Sequence, residues 1–171
     1  MAVIMTATDD NLKAAFAGES QANRKYLAYA KKADEEGLHQ VAKLFRAAAE
    51  AETVHAHAHL RVMKGVGTTT VNLKDAISGE NHEHTSMYPG FIETARAEGN
   101  KEAVRSFSWA NAVEKIHEEK YQAAADAVSA GTDLPAKKLY LCPVCGNIEE
   151  GEAPERCKVC GAAGSSFEEV N

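Results

Sequence analysis

Four long segments of this 171-residue chain carry apolar residues at helical spacing, and each interrupts its apolar stripe with a carboxylate. The segments are residues 9–36, 38–64, 72–98 and 100–130, and the carboxylates are Glu19, Glu52, Glu80 with Glu83, and Glu114. Four helices of this length with mostly short connections favour a four-helix bundle. Gly37 and Gly131 are expected to end the first and last helices, and Pro89 to kink the third or to end a turn locally.

Carboxylates in a helical core need compensating positive charge, because an isolated buried carboxylate costs several kcal/mol. Two of these glutamates begin ExxH units, Glu52 with His55 and Glu114 with His117, whose side chains leave the same side of a helix. Two ExxH helices plus single glutamates on two others form a pattern typical of di-iron carboxylate proteins. One glutamate alone is more often the solvated margin of its stripe. These donors suit iron or manganese, and they do not exclude zinc.

The stretch AAAEAETVHAHAHL, residues 47–60, contains further acidic and imidazole groups. Glu50 and His57 lie ~200° around the helix from Glu52 and His55, so we expect both to face solvent. His59 shares the inward face with His55 but lies one turn beyond it, and it is expected to support the site or to pack in the core.

All four cysteines fall in two CxxCG motifs, CPVCG at 142–146 and CKVCG at 157–161. Cys142, Cys145, Cys157 and Cys160 are therefore predicted to hold one tetrahedral metal ion, either structural zinc or redox-active iron. Residues 1–131 form the predicted helical domain, 132–136 a linker, and 137–171 a small cysteine domain. Such a short domain needs a metal to be stable.

A net charge of -6 and a pI near 5.7 give no electrostatic footprint for nucleic acid or for an anionic membrane, so neither partner is expected. The N-terminus lacks a basic region followed by an apolar run, and no stretch approaches the ~20 apolar residues that span a bilayer. We therefore expect a soluble cytoplasmic protein. The sequence contains no GxGxxG dinucleotide fingerprint.

The motifs AFAGES, EAETVH, SGENHEHTSMYP and AVEKIH, followed by YLCPVCG and CKVCG, resemble those of rubrerythrins over essentially the full chain. The resemblance implies a mainly α fold, a ferritin-like four-helix bundle plus a small rubredoxin-like domain. Glu83 is the extra glutamate that marks this family. The implied roles are Glu52 and Glu114 as bridging ligands, Glu19 as terminal ligand of the first iron, and Glu80 with His117 as terminal ligands of the second. The first iron is implied to exchange Glu83 for His55 upon reduction.

The same resemblance implies that Tyr26 and Tyr88 orient ligands, although spacing alone fits core aromatics equally well. The implied cofactors are two non-haem irons and one four-cysteine iron, with zinc as the alternative. The expected activity is reduction of hydrogen peroxide to water, with the cysteine site relaying electrons from rubredoxin or an NAD(P)H-dependent flavoprotein. The alternative is ferritin-type iron oxidation and storage. Because the connection between the second and third helices is short, we expect a homodimer that exchanges helix pairs.

Overall fold

The computed structural model describes residues 6–170, which form five α-helices, one π-helical segment, a 3-10 turn at Gly164–Ser166 and a three-stranded sheet. The helices are α1 (Ala7–Glu35), α2 (His39–Val62), α3 (Thr69–His82), α4 (Tyr88–Ala97) and α5 (Lys101–Ser129), and the π segment is Glu83–Met87. The strands are β1 (Leu139–Leu141), β2 (Ile148–Glu150) and β3 (Glu168–Val170). The chain divides into two compact units, the first ending at Gly67 and the second beginning at Thr68.

The helix boundaries follow from local capping. Thr6 and Asp9 form a capping box, so α1 begins two residues before the start predicted from the sequence. Asn100 caps α5 by accepting from the backbone N–H of Ala103 at 3.0 Å. Gly37 and Gly131 both have positive φ just beyond a helix, as predicted for its end.

The predicted third helix is interrupted by the π segment. Pro89 lies in the first turn of α4, a position at which proline is common. Just before Pro89, residues Glu83–Met87 form a wider, π-helical turn, which was not predicted from the sequence. The consequence is that Glu83 lies where regular helical geometry ends, and π insertions of this kind often occur at functional sites.

Within the first unit, α1 and α2 pack through small side chains. The buried residues are Ala30 and Ala33 of α1 and Ala42, Ala49 and Ala56 of α2. Alanine contacts let the two helix backbones approach closely. Asn23 is buried beside them, and its amide donates to the carbonyl oxygen of Ala49 at 2.8 Å.

In the second unit, α5 packs against α3 and α4, and the small sheet has the order β2-β1-β3 with antiparallel pairing throughout. Aromatic contacts among Tyr88, Phe91 and Phe107 join α4 to α5. None of the helices within residues 6–170 combines the length and the apolar character that a membrane crossing requires.

Candidate metal centres

The first cluster, called here the Glu19 cluster, comprises Glu19 from α1 with Glu52 and His55 from α2. One ligand atom from each lies within 4.8 Å of the others. Nδ1 of His55 is 2.8 Å from Oε2 of Glu52, the contact expected of an ExxH unit on one helical face. The side chain of Glu52 is 18% exposed and that of His55 is 56% exposed. All three donors therefore converge, with His55 at the open edge.

The second cluster, the Glu80 cluster, comprises Glu80 from α3 with Glu114 and His117 from α5, again with ligand atoms within 4.8 Å. Nδ1 of His117 is 2.9 Å from Oε2 of Glu114 and 3.8 Å from Oε1 of Glu80. Burial, followed by the charge of Glu114, raises the pKa of Glu80 to about 7. Crowded carboxylates whose ionised forms repel each other are a donor set that a bound cation stabilises.

The ring of His117 is fixed from its far side. Its Nε2 is 3.1 Å from the carbonyl oxygen of Gly146, and a carbonyl can only accept, so Nε2 carries the proton of this hydrogen bond. In the neutral ring, Nδ1 then presents its lone pair to the cluster. A backbone carbonyl that sets the tautomer in this way is a common support for metal-binding histidines.

Glu83 lies in the π segment and is outside the three residues whose ligand atoms converge most tightly. It lines one surface recess together with Glu80. Burial and then the charge of Glu114 raise the pKa of the Glu83 carboxyl, and burial, then the charges of Glu114, Glu83 and Glu80, raise the pKa of Tyr88. Tyr26, in contrast, packs its ring 6.2 Å from those of Tyr29 and Phe45. Their predicted roles as ligand and orienting groups stay predictions.

Sequence reasoning missed a network beside the Glu80 cluster. Glu118 accepts from the amide of Asn81 at 2.9 Å and contacts Nε2 of His84 at 2.5 Å, which ties α3 and the π segment to α5. His84 and Glu118 directly follow the predicted ligands Glu83 and His117. Their adjacency to ligands was the available signal, but the π insertion that turns His84 towards α5 leaves no mark in a 3.6-residue pattern.

The structure also shows where the other acidic and histidine residues of the histidine tract, residues 47–60, lie. Glu50 and His57 are exposed, as predicted, and His59 is half-buried. His57 lines a shallow cavity with Ser20, Asn23 and Arg24. The Glu19 cluster thus uses a single ExxH unit from the tract.

The four cysteines converge as predicted. Sγ of Cys142 is 3.7 Å from that of Cys160, and Sγ of Cys145 is 3.6 Å from that of Cys157. A metal with bonds of about 2.3 Å to four thiolates requires sulfur separations of about 3.8 Å, whereas a disulfide would require about 2.05 Å. Although burial opposes it, hydrogen bonds from the backbone of Cys160 and Val159 lower the pKa of Cys157 to about 7. Burial raises the pKa of the Cys145 and Cys160 thiols, so it is the separation of the four sulfurs that fits a metal ion.

The cysteine site lies directly against α5. Gly146, which follows Cys145, accepts the hydrogen bond from His117, and a Cβ built at Gly146 would be 3.7 Å from Cγ1 of Val113. Gly146 has φ +87°, so glycine suits both the turn and the close approach. A single hydrogen bond thus separates a residue of the Glu80 cluster from the loop that carries Cys145.

Comparison with known proteins agrees with this arrangement. Residues 10–125 match the family model for rubrerythrin, and residues 140–168 match that for the rubrerythrin rubredoxin-like domain. The chain belongs to the rubrerythrin family. It is 37% identical to rubrerythrin-2 of Clostridium acetobutylicum, over 98% of this chain and 99% of that protein. It is 42% identical to nigerythrin of Nitratidesulfovibrio vulgaris, over 90% of this chain and 82% of that protein.

Among solved structures, partially reduced nigerythrin matches with 36% identity and a TM-score of 0.58, covering 99% of this chain and 89% of that one. A structure of fully reduced, all-ferrous nigerythrin matches with the same identity and TM-score. The predicted fold class, a ferritin-like helical protein with a rubredoxin-like domain, is confirmed. As a rubrerythrin the chain is an oxidoreductase whose cofactors are a di-iron centre and a four-cysteine iron.

Proposed function

We propose that this rubrerythrin is a peroxidase that reduces hydrogen peroxide to water, with the four-cysteine site relaying the electrons. The contact from His117 to Gly146 is the observation that carries the proposal. A histidine with one nitrogen facing carboxylates and the other bonded to the cysteine loop gives electrons a short path between the two centres. Iron storage would not require an attached electron donor.

The residues proposed to hold the two irons are Glu52 and Glu114 as bridges, Glu19 as terminal ligand on the first iron, and Glu80 with His117 on the second. Glu83 and His55 are proposed to exchange on the first iron, and the open position of His55 and the location of Glu83 in the π segment both suit side chains that move. Bound iron supplies the two electrons in H2O2 + 2 H⁺ + 2 e⁻ → 2 H2O. Tyr88, facing the carboxylates, and Tyr26, above Phe45, are proposed to orient ligands.

Stopped-flow mixing of the fully reduced protein with peroxide tests this function. We expect one peroxide to oxidise both irons of the di-iron centre, and Glu83→Ala to slow that oxidation while the visible spectrum of the four-cysteine site is kept. Glu93→Ala, at an exposed position on α4, is the matched control. Growth of an iron mineral with added ferrous iron, in place of clean two-electron reoxidation, would favour the storage alternative.

The assembly is proposed to be a homodimer in which each di-iron site draws one cluster from each chain. In a ferritin-like bundle α2 and α3 run parallel. His55 lies seven residues before Val62 and Glu80 eleven after Thr69, so a chain completing its own site must return about 27 Å along the axis. The seven intervals from Val62 to Thr69 reach only about 25 Å when fully extended.

Two further observations support the exchange. The connection is not extended at its start, because Gly65 donates to the carbonyl of Leu60 at 2.9 Å and Lys64 has φ +55°. The α2 face that carries His55 also leaves Val41 42% exposed and Val62 65% exposed. Apolar side chains beside metal ligands are expected to be covered in the assembled protein.

Co-expression of two defective chains tests the exchange directly. Glu52→Ala and Glu114→Ala chains each lack one bridging ligand, so neither homodimer should hold a complete di-iron site. If clusters are exchanged, their heterodimer contains one intact site and one doubly defective site, and peroxide turnover returns. Glu19→Ala with Glu52→Ala must not complement, because both changes lie in the same cluster. A monomeric, fully iron-loaded species in light scattering would overturn the proposal.

The electron donor is proposed to be a rubredoxin or an NAD(P)H-dependent flavoprotein that reaches the cysteine knuckles from solvent. Val144, between Cys142 and Cys145, is 51% exposed and offers such a contact. No disulfide joins the four cysteines, which suits a reducing compartment, and we propose the cytoplasm. A reconstituted chain of NADH, flavoprotein and this protein should consume NADH only when peroxide is present.

A further inference from the structure

Three side chains on one face of α5 contact the cysteine domain. Val113 lies beside Gly146, His117 donates to the carbonyl of Gly146, and Nζ of Lys120 lies 2.9 Å from Oε1 of Glu150 at the end of β2. Spacings of four and three residues place them in one row along the helix. These three contacts of the cysteine domain thus form one line along α5, with the predicted iron ligand His117 at its centre.

Near Lys120, at the C-terminal end of this row, apolar side chains do not fill the space between α5 and the sheet. A cavity of about 490 Å³ lies between α5 and the sheet, and its walls include Leu73, Tyr121, Leu134 and Leu139. Lys120 and Glu150 also line it. An interface that is not filled by apolar packing gains little from area burial, so its few polar contacts carry a larger share of the docking energy.

The pair between Lys120 and Glu150 is better placed than most surface ion pairs. Lys120 is 26% exposed and Glu150 is 39% exposed. Hydrogen bonds from Lys120 and then Lys137 hold the pKa of Glu150 below its usual range, so the carboxylate is charged near neutrality. Lys137 belongs to the segment just before β1, so of these two lysines only Lys120 connects Glu150 to a helix.

We propose that Lys120 is a positioning residue: its ion pair with Glu150 latches the cysteine domain so that Gly146 stays in contact with His117. The proposed latch concerns the docking of the cysteine domain on α5, so it does not depend on which metal the cysteine site holds. Its consequence for electron delivery rests on the proposed function. Since Lys120 binds none of the three metals, its removal should alter how often the two centres are connected and leave each centre intact.

The matched control lies inside the cysteine domain. Lys138 pairs with Glu169 at 2.9 Å across the sheet, with side chains 61% and 40% exposed. Lys138→Met removes a lysine of the same type from a similar ion pair that does not touch α5. Lys120→Met and Lys138→Met can therefore be compared directly.

The docking test uses the full chain with zinc in the cysteine site, where no redox chemistry occurs. Backbone ¹⁵N relaxation should give residues 139–170 the same rotational correlation time as the helices in the parent protein and in Lys138→Met. In Lys120→Met we expect a shorter correlation time for residues 139–170 only. Equal correlation times in Lys120→Met and the parent would overturn the latch.

The second test uses the iron-loaded, fully reduced protein mixed with excess peroxide. The electron lost by the ferrous cysteine site ends on peroxide, and the ferric-thiolate absorption reports its departure. Lys120→Met should slow that signal about fivefold, as expected for the loss of one well-placed ion pair, without changing the faster di-iron oxidation or the reduction potential of the cysteine site. High salt should slow the parent towards the variant. An unchanged rate, or equal slowing in Lys138→Met, would contradict the proposal, whereas absent di-iron oxidation by peroxide would instead refute the proposed function.

Discussion

The two kinds of metal centre are built in opposite ways. The four predicted ligands of the cysteine site lie between Cys142 and Cys160, on two short loops whose backbones repeat the same CxxCG geometry. The predicted glutamate and histidine ligands extend from Glu19 to His117, and long helices position them. A local site is defined by its own loops, whereas a dispersed site depends on how helices assemble. This difference predicts which substitutions affect one domain only and which affect more of the molecule.

The largest effect is expected when the cysteine domain loses its metal. Cys157 is 3% exposed, and the three-residue strands bury too little apolar surface to be stable alone. Cys157→Ser should abolish the ferric-thiolate spectrum and unfold residues 139–170, as seen by NMR, while far-UV circular dichroism retains the helices. Loss of helical signal together with the metal would break the distinction between local and dispersed sites.

The reciprocal change tests the dispersed site. Glu114→Ala removes a predicted bridging ligand that lies within the long helix α5. We expect iron to fall from about three to about one atom per chain by metal analysis, with the visible spectrum of the remaining iron unchanged. Retention of the di-iron centre would show that Glu114 is not a ligand.

Sequence analysis succeeded where the spacing of the predicted ligands along the chain determines their geometry locally. CxxCG spacing predicts the cysteine site because each loop positions its own two sulfurs. Helical periodicity predicted that Glu52 and His55, and Glu114 and His117, share a face, since that relation is also local. The roles assigned to Glu83, Tyr26 and Tyr88, and the linker at residues 132–136, stay predictions.

Features that depend on distant packing were not predicted. The π segment packs against α5, and the contact between His84 and Glu118 joins positions 34 residues apart. The hydrogen bond from His117 to Gly146 likewise has no local signature. Such contacts are decided by tertiary structure, which a 3.6-residue pattern does not contain.

The free energy of unfolding of the metal-free protein is expected to depend on pH through Glu80. The pKa of Glu80 is raised to about 7 by burial and by Glu114. The folded state therefore holds a proton that the unfolded state has released, and stability falls as pH rises from about 4.5 to about 7. We expect a loss of about 1–2 kcal/mol over this window in metal-free protein, after allowance for partial exposure. Because the pKa of Glu83 is raised as well, denaturant titrations should find this slope reduced in Glu80→Gln, with a remainder of the same sign.

The smallest effect compares the two cysteine loops with each other. Gly146 and Gly161 have φ of +87° and +76°, and alanine at either position is strained by about 1 kcal/mol. A Cβ at Gly146 meets Val113 at 3.7 Å, an ordinary contact, and a Cβ at Gly161 meets nothing within 4 Å. Gly146→Ala and Gly161→Ala should therefore lower the midpoint for loss of the four-cysteine spectrum in denaturant by similar amounts. A much larger loss for Gly146→Ala would mean that docking on α5, and not the loop alone, determines the stability of the first knuckle.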